Sequence, residues 1–220
     1  MIKARLGQKA PLLDVSDWVQ GGAVNFDQPG GNVTLVEVFQ VNCPGCFLYA
    51  LPQAIDFHQR YASQGLTVIG IATAFEDFDK NTLENLQKLV EKGEVIGETH
   101  HSLSQHDLLE SGRLPYRIPF PLGMDKLVKR DSAVNETDIL DFIKEHLPDF
   151  DRQPDSYRNT IISQVRTYLE KLKYRPQTFE RYNLKGTPSH ILVDKQGILR
   201  VCGFGNHPEL EDQIRQLLQE

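Results

Sequence analysis

Cysteine is scarce in this chain of 220 residues, which contains only three. An odd and small number of cysteines does not build a disulfide framework. A chain of this length also buries enough apolar surface to fold without covalent staples. The cysteines therefore indicate catalytic or incidental thiols in a reducing compartment.

Long apolar runs and blocks of positive charge are also missing. No stretch approaches the eighteen apolar residues of a membrane span, and residues 1–9 have no signal-peptide core. The formal net charge is −6, and no cluster of lysine and arginine marks a nucleic-acid surface. Hydrophobic residues make up 40% and charged residues 25%, which is ordinary for a globular protein. We expect a cytoplasmic protein with neither a membrane nor a nucleic acid as partner.

Two apolar runs, Val33–Phe39 and Leu66–Ala72, predict strands buried on both faces. The segment Cys46–Arg60 between them has helical spacing, and Pro52 predicts a kink or a late start in that helix. A further strand is expected within Phe120–Asp125. This alternation of strands and helices predicts an α/β fold with a mixed sheet.

The rest of the chain divides into four predicted features. Asn81 is taken as the start of a helix that ends at Gly93. Residues 94–119 are predicted to be a long polar loop, and residues 126–178 a helical insertion within a single domain of residues 1–220. The insertion contains an amphipathic stripe: Tyr157, Ile161, Val165, Leu169 and Leu172. Residues 191–194 and 198–202 predict a hairpin with Gly197 in the left-handed conformation, followed by a last helix.

The sequence Cys43-Pro-Gly-Cys46 lies between the first strand and the helix. Two cysteines three apart at a helix start are close enough to form a disulfide. The helix N-terminus favours a thiolate at Cys43, which would attack a disulfide, and Cys46 would resolve the mixed disulfide. Half of a zinc site is the alternative, but the third cysteine, Cys202, stands alone and is expected to be a buried structural thiol. We predict no metal and no cofactor.

Glu37 lies in the middle of the first apolar strand, where a charge is rare. Desolvation raises the pKa of a buried carboxyl group, which suits a proton acceptor near neutral pH. Glu37 is six positions before Cys43, so we predict that it takes a proton from Cys46. A solvent-facing glutamate on an edge strand is the alternative.

Three segments together resemble the thioredoxin-like superfamily in its redoxin branch, which includes TlpA-like proteins and relatives of alkyl hydroperoxide reductase. They are Val33–Cys46, Phe120–Asp125 and Gly186–Gly197, and they occur in the family's order. The resemblance implies a thioredoxin-like fold with a mixed central sheet flanked by helices. The insertion would then precede the strand that follows a cis-proline.

The resemblance also assigns roles at matching positions. Cys43 matches the attacking cysteine, Cys46 the resolving cysteine and Glu37 the buried acid. Pro188 matches a cis-proline that packs against the cysteines, and Thr187 matches a residue whose backbone pairs with substrate. One departure is Asn42, which stands where the family usually has tryptophan.

The function predicted is thiol-disulfide exchange, with the protein acting as a reductase. Its partners would be a protein or small-molecule disulfide substrate and an upstream dithiol reductant. A thiol peroxidase is one alternative, although Gln40 replaces the peroxide-orienting hydroxyl three positions before Cys43. A copper-binding assembly protein that uses the cysteines and His190 is another. The cluster of His100, His101 and His106 in the polar stretch is expected to be solvated.

Overall fold

The computed structural model describes residues 3–27, 31–130 and 133–220. The strands are β1 (Val15–Gln20), β2 (Val33–Phe39), β3 (Leu66–Ala72), β4 (Leu122–Asp125), β5 (Leu127–Lys129), β6 (Tyr174–Pro176), β7 (Ser189–Val193) and β8 (Leu199–Phe204). The helices are α1 (Leu51–Tyr61), α2 (Leu83–Lys92), α3 (Gly97–Gln105), α4 (Glu136–His146), α5 (Asp155–Lys171), α6 (Gln177–Arg181) and α7 (Leu210–Gln219). A π-helical turn precedes α1, and short 3₁₀ turns cover Ala62–Gln64 and Phe150–Arg152. None of the helices in the described ranges is long and apolar enough to cross a bilayer.

Six strands form one sheet in the order β1-β4-β3-β2-β7-β8. Strand β3 runs parallel to both β2 and β4, whereas β1, β7 and β8 each pair antiparallel with their neighbours. The prediction of a mixed sheet flanked by helices is confirmed. The two predicted buried strands, β2 and β3, lie at its centre, which explains their uninterrupted apolar sequences.

Alternate residues of the central strands serve two apolar cores, one on each face of the sheet. On one face Leu35 and Phe39 pack with Cys46 and with side chains of α1 and α7. On the other face Val36 and Val38 pack with side chains of α6. Each fully buried aliphatic or aromatic side chain contributes roughly 1.5–3 kcal/mol. The two-residue period of β2 therefore determines which of its side chains face Cys46.

The helix after the cysteines is irregular in its first turns. It begins at Pro44 and adopts π-helical bonding over Cys46–Ala50, where the Leu51 N–H donates to the carbonyl of Cys46. Pro52 explains the irregularity, because it has no N–H to donate to the carbonyl four residues earlier. The predicted kink at Pro52 takes the form of this π-helical turn.

Two predictions about local structure were wrong, and one strand was missed. Residues 94–119 are not one loop, because α3 lies within them; only Thr99 and Leu103 of that helix are buried, which leaves a weak apolar signal. Strand β1 was not predicted, since it is half-exposed and interrupted by two register shifts. The N-cap of α2 is Thr82 and not Asn81. Gly93 ends α2 in the left-handed conformation, as predicted.

The chain divides into two compact units, Met1–Leu127 with Pro176–Glu220, and Val128–Arg175. The second unit contains α4 and α5 and has a small apolar core of its own. That core contains Ile139, Ile143, Phe150 and Leu169, with Ile161, Val165 and Leu172 packed against it. Four residues of the predicted stripe thus form part of a core, while Tyr157 is exposed. A capping box between Asn135 and Asp138 fixes the start of α4.

Candidate active site

Cys43 and Cys46 form a disulfide, and their Cα atoms are 5.4 Å apart. Cys43 is half-buried, whereas Cys46 is fully buried. Strand β2 ends at Phe39, and a short loop carries the chain to Cys43. The cysteine predicted to attack is therefore the more exposed of the two.

Cys43 occupies the N-cap position of the helix that starts at Pro44. Its Sγ lies 3.3 Å from the backbone N–H of Cys46, which donates toward the sulfur. Pro44 suits the first helical position, because the N–H it lacks would have no partner inside the helix. When the disulfide is reduced, this N–H and the helix dipole favour a thiolate at Cys43.

The segment before β7 lies beside the disulfide. The Thr187–Pro188 peptide bond is cis, and the carbonyl oxygen of Thr187 lies 3.5 Å from Sγ of Cys43. The Thr187 hydroxyl donates to the side-chain carbonyl of the buried Gln40 at 3.3 Å. Thr187 and Pro188 are therefore adjacent to the accessible cysteine.

Glu37 is buried in the centre of the sheet, which excludes the solvent-facing alternative. Its Oε2 is 2.6 Å from Nδ1 of His190, which lies directly opposite it on β7. The other carboxylate oxygen, Oε1, is buried without a hydrogen-bond partner among the described residues. Nε2 of His190 donates to the carbonyl of Gly205 at 2.9 Å. Glu37 is thus one half of a buried pair that the sequence did not predict.

Burial and pairing both act on the pKa values of these two groups. Desolvation raises the pKa of Glu37, and the hydrogen bond and charge of His190 offset part of that rise. Desolvation lowers the pKa of His190, but the Glu37 carboxylate and the Gly205 carbonyl outweigh it, so the net shift is upward. Each partner therefore stabilises the charged form of the other.

Asn42 connects the loop before Cys43 to two other segments of the chain. It is 8% exposed, and its side-chain amide donates to Asp77 at 2.7 Å. Its Oδ1 accepts the backbone N–H of Glu98, in the first turn of α3, at 2.8 Å. Its own backbone N–H donates to the side chain of Asn81 at 2.9 Å. Asn42 therefore ties the active-site loop to α3 and to the segment before α2.

Two further features bring α3 close to this loop. Thr99 donates its hydroxyl to the carbonyl of Val41 at 2.9 Å, in a fully buried contact. Gly97 has φ of 53°, and a Cβ there would lie 2.3 Å from Oδ1 of Asn42. Glycine is required at this position for conformation and for space. Sequence analysis missed these contacts because it did not predict α3.

The remaining candidates lie away from this chemistry. Cys202 is half-buried on β8, its thiol lies 3.3 Å from the carbonyl of Tyr182, and burial raises its pKa to about 11. His100 and His101 are exposed on α3, and His106 follows at its end. Within the described ranges, no three His, Cys, Asp or Glu residues converge as metal ligands.

The structure also bears on the alternatives. Zinc would need ligands beyond Cys43 and Cys46, and the described residues bring none to them. Both ring nitrogens of His190 are engaged, so it is not free to complete a copper site with the cysteines. Gln40, in the position that a peroxidase hydroxyl would occupy, bonds Thr187 and the carbonyl of Glu76.

The strand order, the cysteine pair at a helix start and the cis-proline segment beside it define a thioredoxin-like fold. Among solved structures, it is similar to a thioredoxin-like superfamily protein (24% identity, 97% of each chain, TM-score 0.59). It is also similar to a thiol-disulfide isomerase from Corynebacterium glutamicum (26% identity, 96% of this chain and 97% of that one, TM-score 0.58). A thiol:disulfide interchange protein from Chlorobium tepidum covers 99% of both chains at 16% identity and TM-score 0.50.

No family model matches the chain, and no curated protein matches it. These structural neighbours confirm the predicted thioredoxin-like fold. Together with the Cys43–Cys46 disulfide, they support a redox function in general terms.

Proposed function

We propose that this protein is a thiol-disulfide oxidoreductase that works through Cys43 and Cys46. The observation that carries the proposal is the disulfide at a helix N-terminus, with one sulfur accessible and the other buried. The disulfide isomerase among its structural neighbours supports the same chemistry. The two cysteines differ in exposure, which suits a division into attacking and resolving thiols.

In the proposed reaction, the Cys43 thiolate attacks one sulfur of a substrate disulfide, and the other substrate sulfur leaves with the electron pair. Cys46 then attacks Sγ of Cys43, which releases the second substrate thiolate and forms the Cys43–Cys46 disulfide. Two electrons have passed from the protein to the substrate. An upstream dithiol returns the protein to the reduced state by the same exchange in reverse.

Glu37 and the cis-proline segment support the two halves of this reaction. Glu37 faces the side of the sheet that contains Cys46, and we assign it as acceptor of the Cys46 proton. Thr187 and Pro188 lie beside the accessible sulfur, and we assign them to contact with the incoming substrate. A substrate held there would have its disulfide next to Cys43.

We further propose that the protein acts as a reductase of the TlpA-like redoxin branch, in the cytoplasm. The support is the resemblance of the Gly186–Gly197 segment and the small cysteine content. We also propose that residues 1–220 form one domain, with 126–178 as its insertion.

The test is the equilibrium reduction potential of the Cys43–Cys46 pair against glutathione. A potential well below that of the cytosolic glutathione pool supports a reductase. A potential well above it means an oxidant, and contradicts both the direction and the compartment. A protein whose disulfide exchanges with no dithiol contradicts the proposed function as a whole.

A further inference from the structure

The protonation of His190 follows from its two contacts. The Gly205 carbonyl can only accept a hydrogen bond, so Nε2 of His190 carries a hydrogen. Nδ1 faces the Glu37 carboxyl group at 2.6 Å, and one proton lies between them. With that proton on Nδ1, His190 is an imidazolium paired with a carboxylate, deep in the protein.

Strand geometry places this pair on the Cys46 side of the sheet. Glu37 alternates with Leu35 and Phe39, and both of these belong to the core that contains Cys46. His190 is two residues from Leu192, which belongs to the same core. The pair and the resolving cysteine therefore share one face.

The pair is also joined to the cis-proline segment. His190 is two residues after Pro188, and the N–H of Gly205 donates to the Pro188 carbonyl at 2.9 Å. The carbonyl of the same glycine accepts from His190. His190 is therefore bonded directly to Glu37, and it is connected through Gly205 to the segment that contacts Cys43.

We propose that His190 is a positioning residue for proton transfer at the resolving cysteine: its Nδ1–H holds Oε2 of Glu37, and Oε1 takes the proton from Cys46. This inference rests on the proposed function and adds a residue to it. Oε1 is the buried carboxylate oxygen without a partner among the described residues. His190 itself touches neither reacting sulfur and acts through Glu37.

The proton of the Cys46 thiol moves to Oε1, and the resulting thiolate attacks Sγ of Cys43 in the mixed disulfide. The bond from Cys43 to the substrate sulfur breaks, and the electron pair leaves on that sulfur. The Glu37 proton later passes to solvent, which restores the carboxylate. When the upstream dithiol reduces the Cys43–Cys46 disulfide again, Cys46 leaves as a thiolate and takes up a proton that the dithiol has given up.

Among the described residues, the elements packed against the pair present glycines and apolar side chains to it. Gly70 of β3 lies opposite Glu37, and Gly203 of β8 lies opposite His190. Helix α1 faces this core with Leu51, Ala54 and Phe57, and α7 faces it with Leu210, Ile214 and Leu217. His58 of α1 contacts the Phe120 ring. The charge that shifts the pKa of Glu37 is that of His190, and the charge that shifts the pKa of His190 is that of Glu37. After reduction, the thiols of Cys43 and Cys46 are the further titratable groups of the site.

Removal of His190 has a predictable direction. Its hydrogen bond and charge offset the effect of burial on the pKa of Glu37. Without them Glu37 retains its proton to higher pH and cannot accept one from Cys46. The resolving step must then shift to higher pH, whereas the first attack by Cys43 does not depend on Glu37.

A two-phase experiment separates these steps. The reduced protein is mixed with dithiobis(nitrobenzoate): attack by Cys43 releases the first thionitrobenzoate, and resolution by Cys46 releases the second. In the His190→Gln variant, we expect the second phase to be about tenfold slower at neutral pH, with its pH midpoint raised by about one unit. His190→Leu should shift the midpoint further, because glutamine keeps a donor for Oε2 and leucine does not. The matched control is His207→Gln, a half-buried histidine bonded to Gln213, which should leave both phases unchanged.

The experiment separates the role of His190 from the proposed function of the protein. A second phase with the same pH profile in wild type and His190→Gln overturns the role of His190 and leaves the proposed function intact. No second phase in the wild type overturns the proposed function itself. A first phase that slows as much as the second overturns the assignment to the resolving step.

A spectroscopic measurement tests the pair without relying on turnover or on a folded His190 variant. In the oxidised wild-type protein, nitrogen NMR should show both ring nitrogens of His190 protonated at neutral pH. In Glu37→Gln, the ring should be neutral, with the hydrogen on Nε2. A neutral ring in the wild type, or a charged ring in both proteins, would overturn the proposal.

Discussion

The active-site loop is held from two sides, and the two sides use different chemistry. On the cis-proline side lie Glu37, His190 and Thr187, which include a buried ion pair and a contact with the accessible sulfur. On the α3 side, Asn42 and Thr99 fix the loop through hydrogen bonds to backbone groups and to the Asp77 carboxylate. We infer that the first side determines reactivity, and that the second keeps the cysteines in place.

The largest effect is expected at the cysteines, which lie between the two sides. Cys46→Ser should reduce turnover to background and accumulate mixed disulfides at Cys43, because the resolving thiol is absent. Mass spectrometry of adducts from cell lysate measures this. Cys202→Ser is the matched control and should retain wild-type turnover, since burial raises the pKa of Cys202 to about 11. Absence of any trapped adduct would contradict the exchange mechanism.

A variant on the cis-proline side should change the turnover rate more than the free energy of unfolding. Glu37→Gln removes the proton acceptor, and we expect turnover to fall about 100-fold at fixed pH. Alkylation of Cys43 by iodoacetamide should stay within a few-fold of wild type, because the helix N-terminus stabilises its thiolate. Unchanged turnover would show that Glu37 is not the acceptor.

A variant on the α3 side should show the opposite pattern. Asn42→Ala leaves the Glu98 N–H and the Asp77 carboxylate without this partner, and we expect the free energy of unfolding to fall by about 2 kcal/mol or more. Turnover of the folded fraction should stay within a few-fold of the wild-type value. Urea denaturation measures the loss, and Asn32→Ala, which removes one exposed hydrogen bond to Thr67, is the control.

Gly97 provides a check on that interpretation. Gly97→Ala brings a Cβ against Oδ1 of Asn42 and places alanine at positive φ, so it should also destabilise the protein. Gly22→Ala, where a Cβ meets nothing within 4 Å, should not. In the Asn42→Ala background, part of the Gly97→Ala effect should disappear, because the contact is gone. If the losses in free energy of unfolding of the two single variants simply add in the double variant, the effect of Gly97→Ala does not arise from its contact with Asn42.

The smallest expected effect is a pH dependence of stability that arises from the cis-proline side. The pKa of His190 is raised above its ordinary value of 6.5, so the folded pair keeps a proton that the unfolded chain has lost above about pH 7. The free energy of unfolding should therefore fall as pH rises through the folded pKa of His190, by at most about 1.4 kcal/mol per pH unit. Urea denaturation of the oxidised protein measures it, because Cys43 and Cys46 then do not titrate. Glu37→Gln should remove this slope, and a slope that persists would contradict the pairing.

Prediction from sequence succeeded on one side of the loop and failed on the other. On the cis-proline side, a continuous apolar strand, a Gly-Thr-Pro segment and a buried acid are visible as local patterns. On the α3 side, Gly97–Gln105 is mostly polar, and its stabilising contacts come from Asn42 and Val41, more than fifty residues earlier. Asn42 was noted only as a missing tryptophan, because a polar side chain does not reveal its distant partners.

The sequence by itself determined the succession of the central strands and helices, the pair of cysteines able to form a disulfide and the place of Glu37 within an apolar strand, because each follows from periodicity or spacing along neighbouring residues. Only the tertiary structure decided that Glu37 faces His190, that Asn42 caps α3 and that Thr187 lies beside Cys43. Those contacts join residues 56 to 153 positions apart, and the sheet register that brings them together depends on the whole fold.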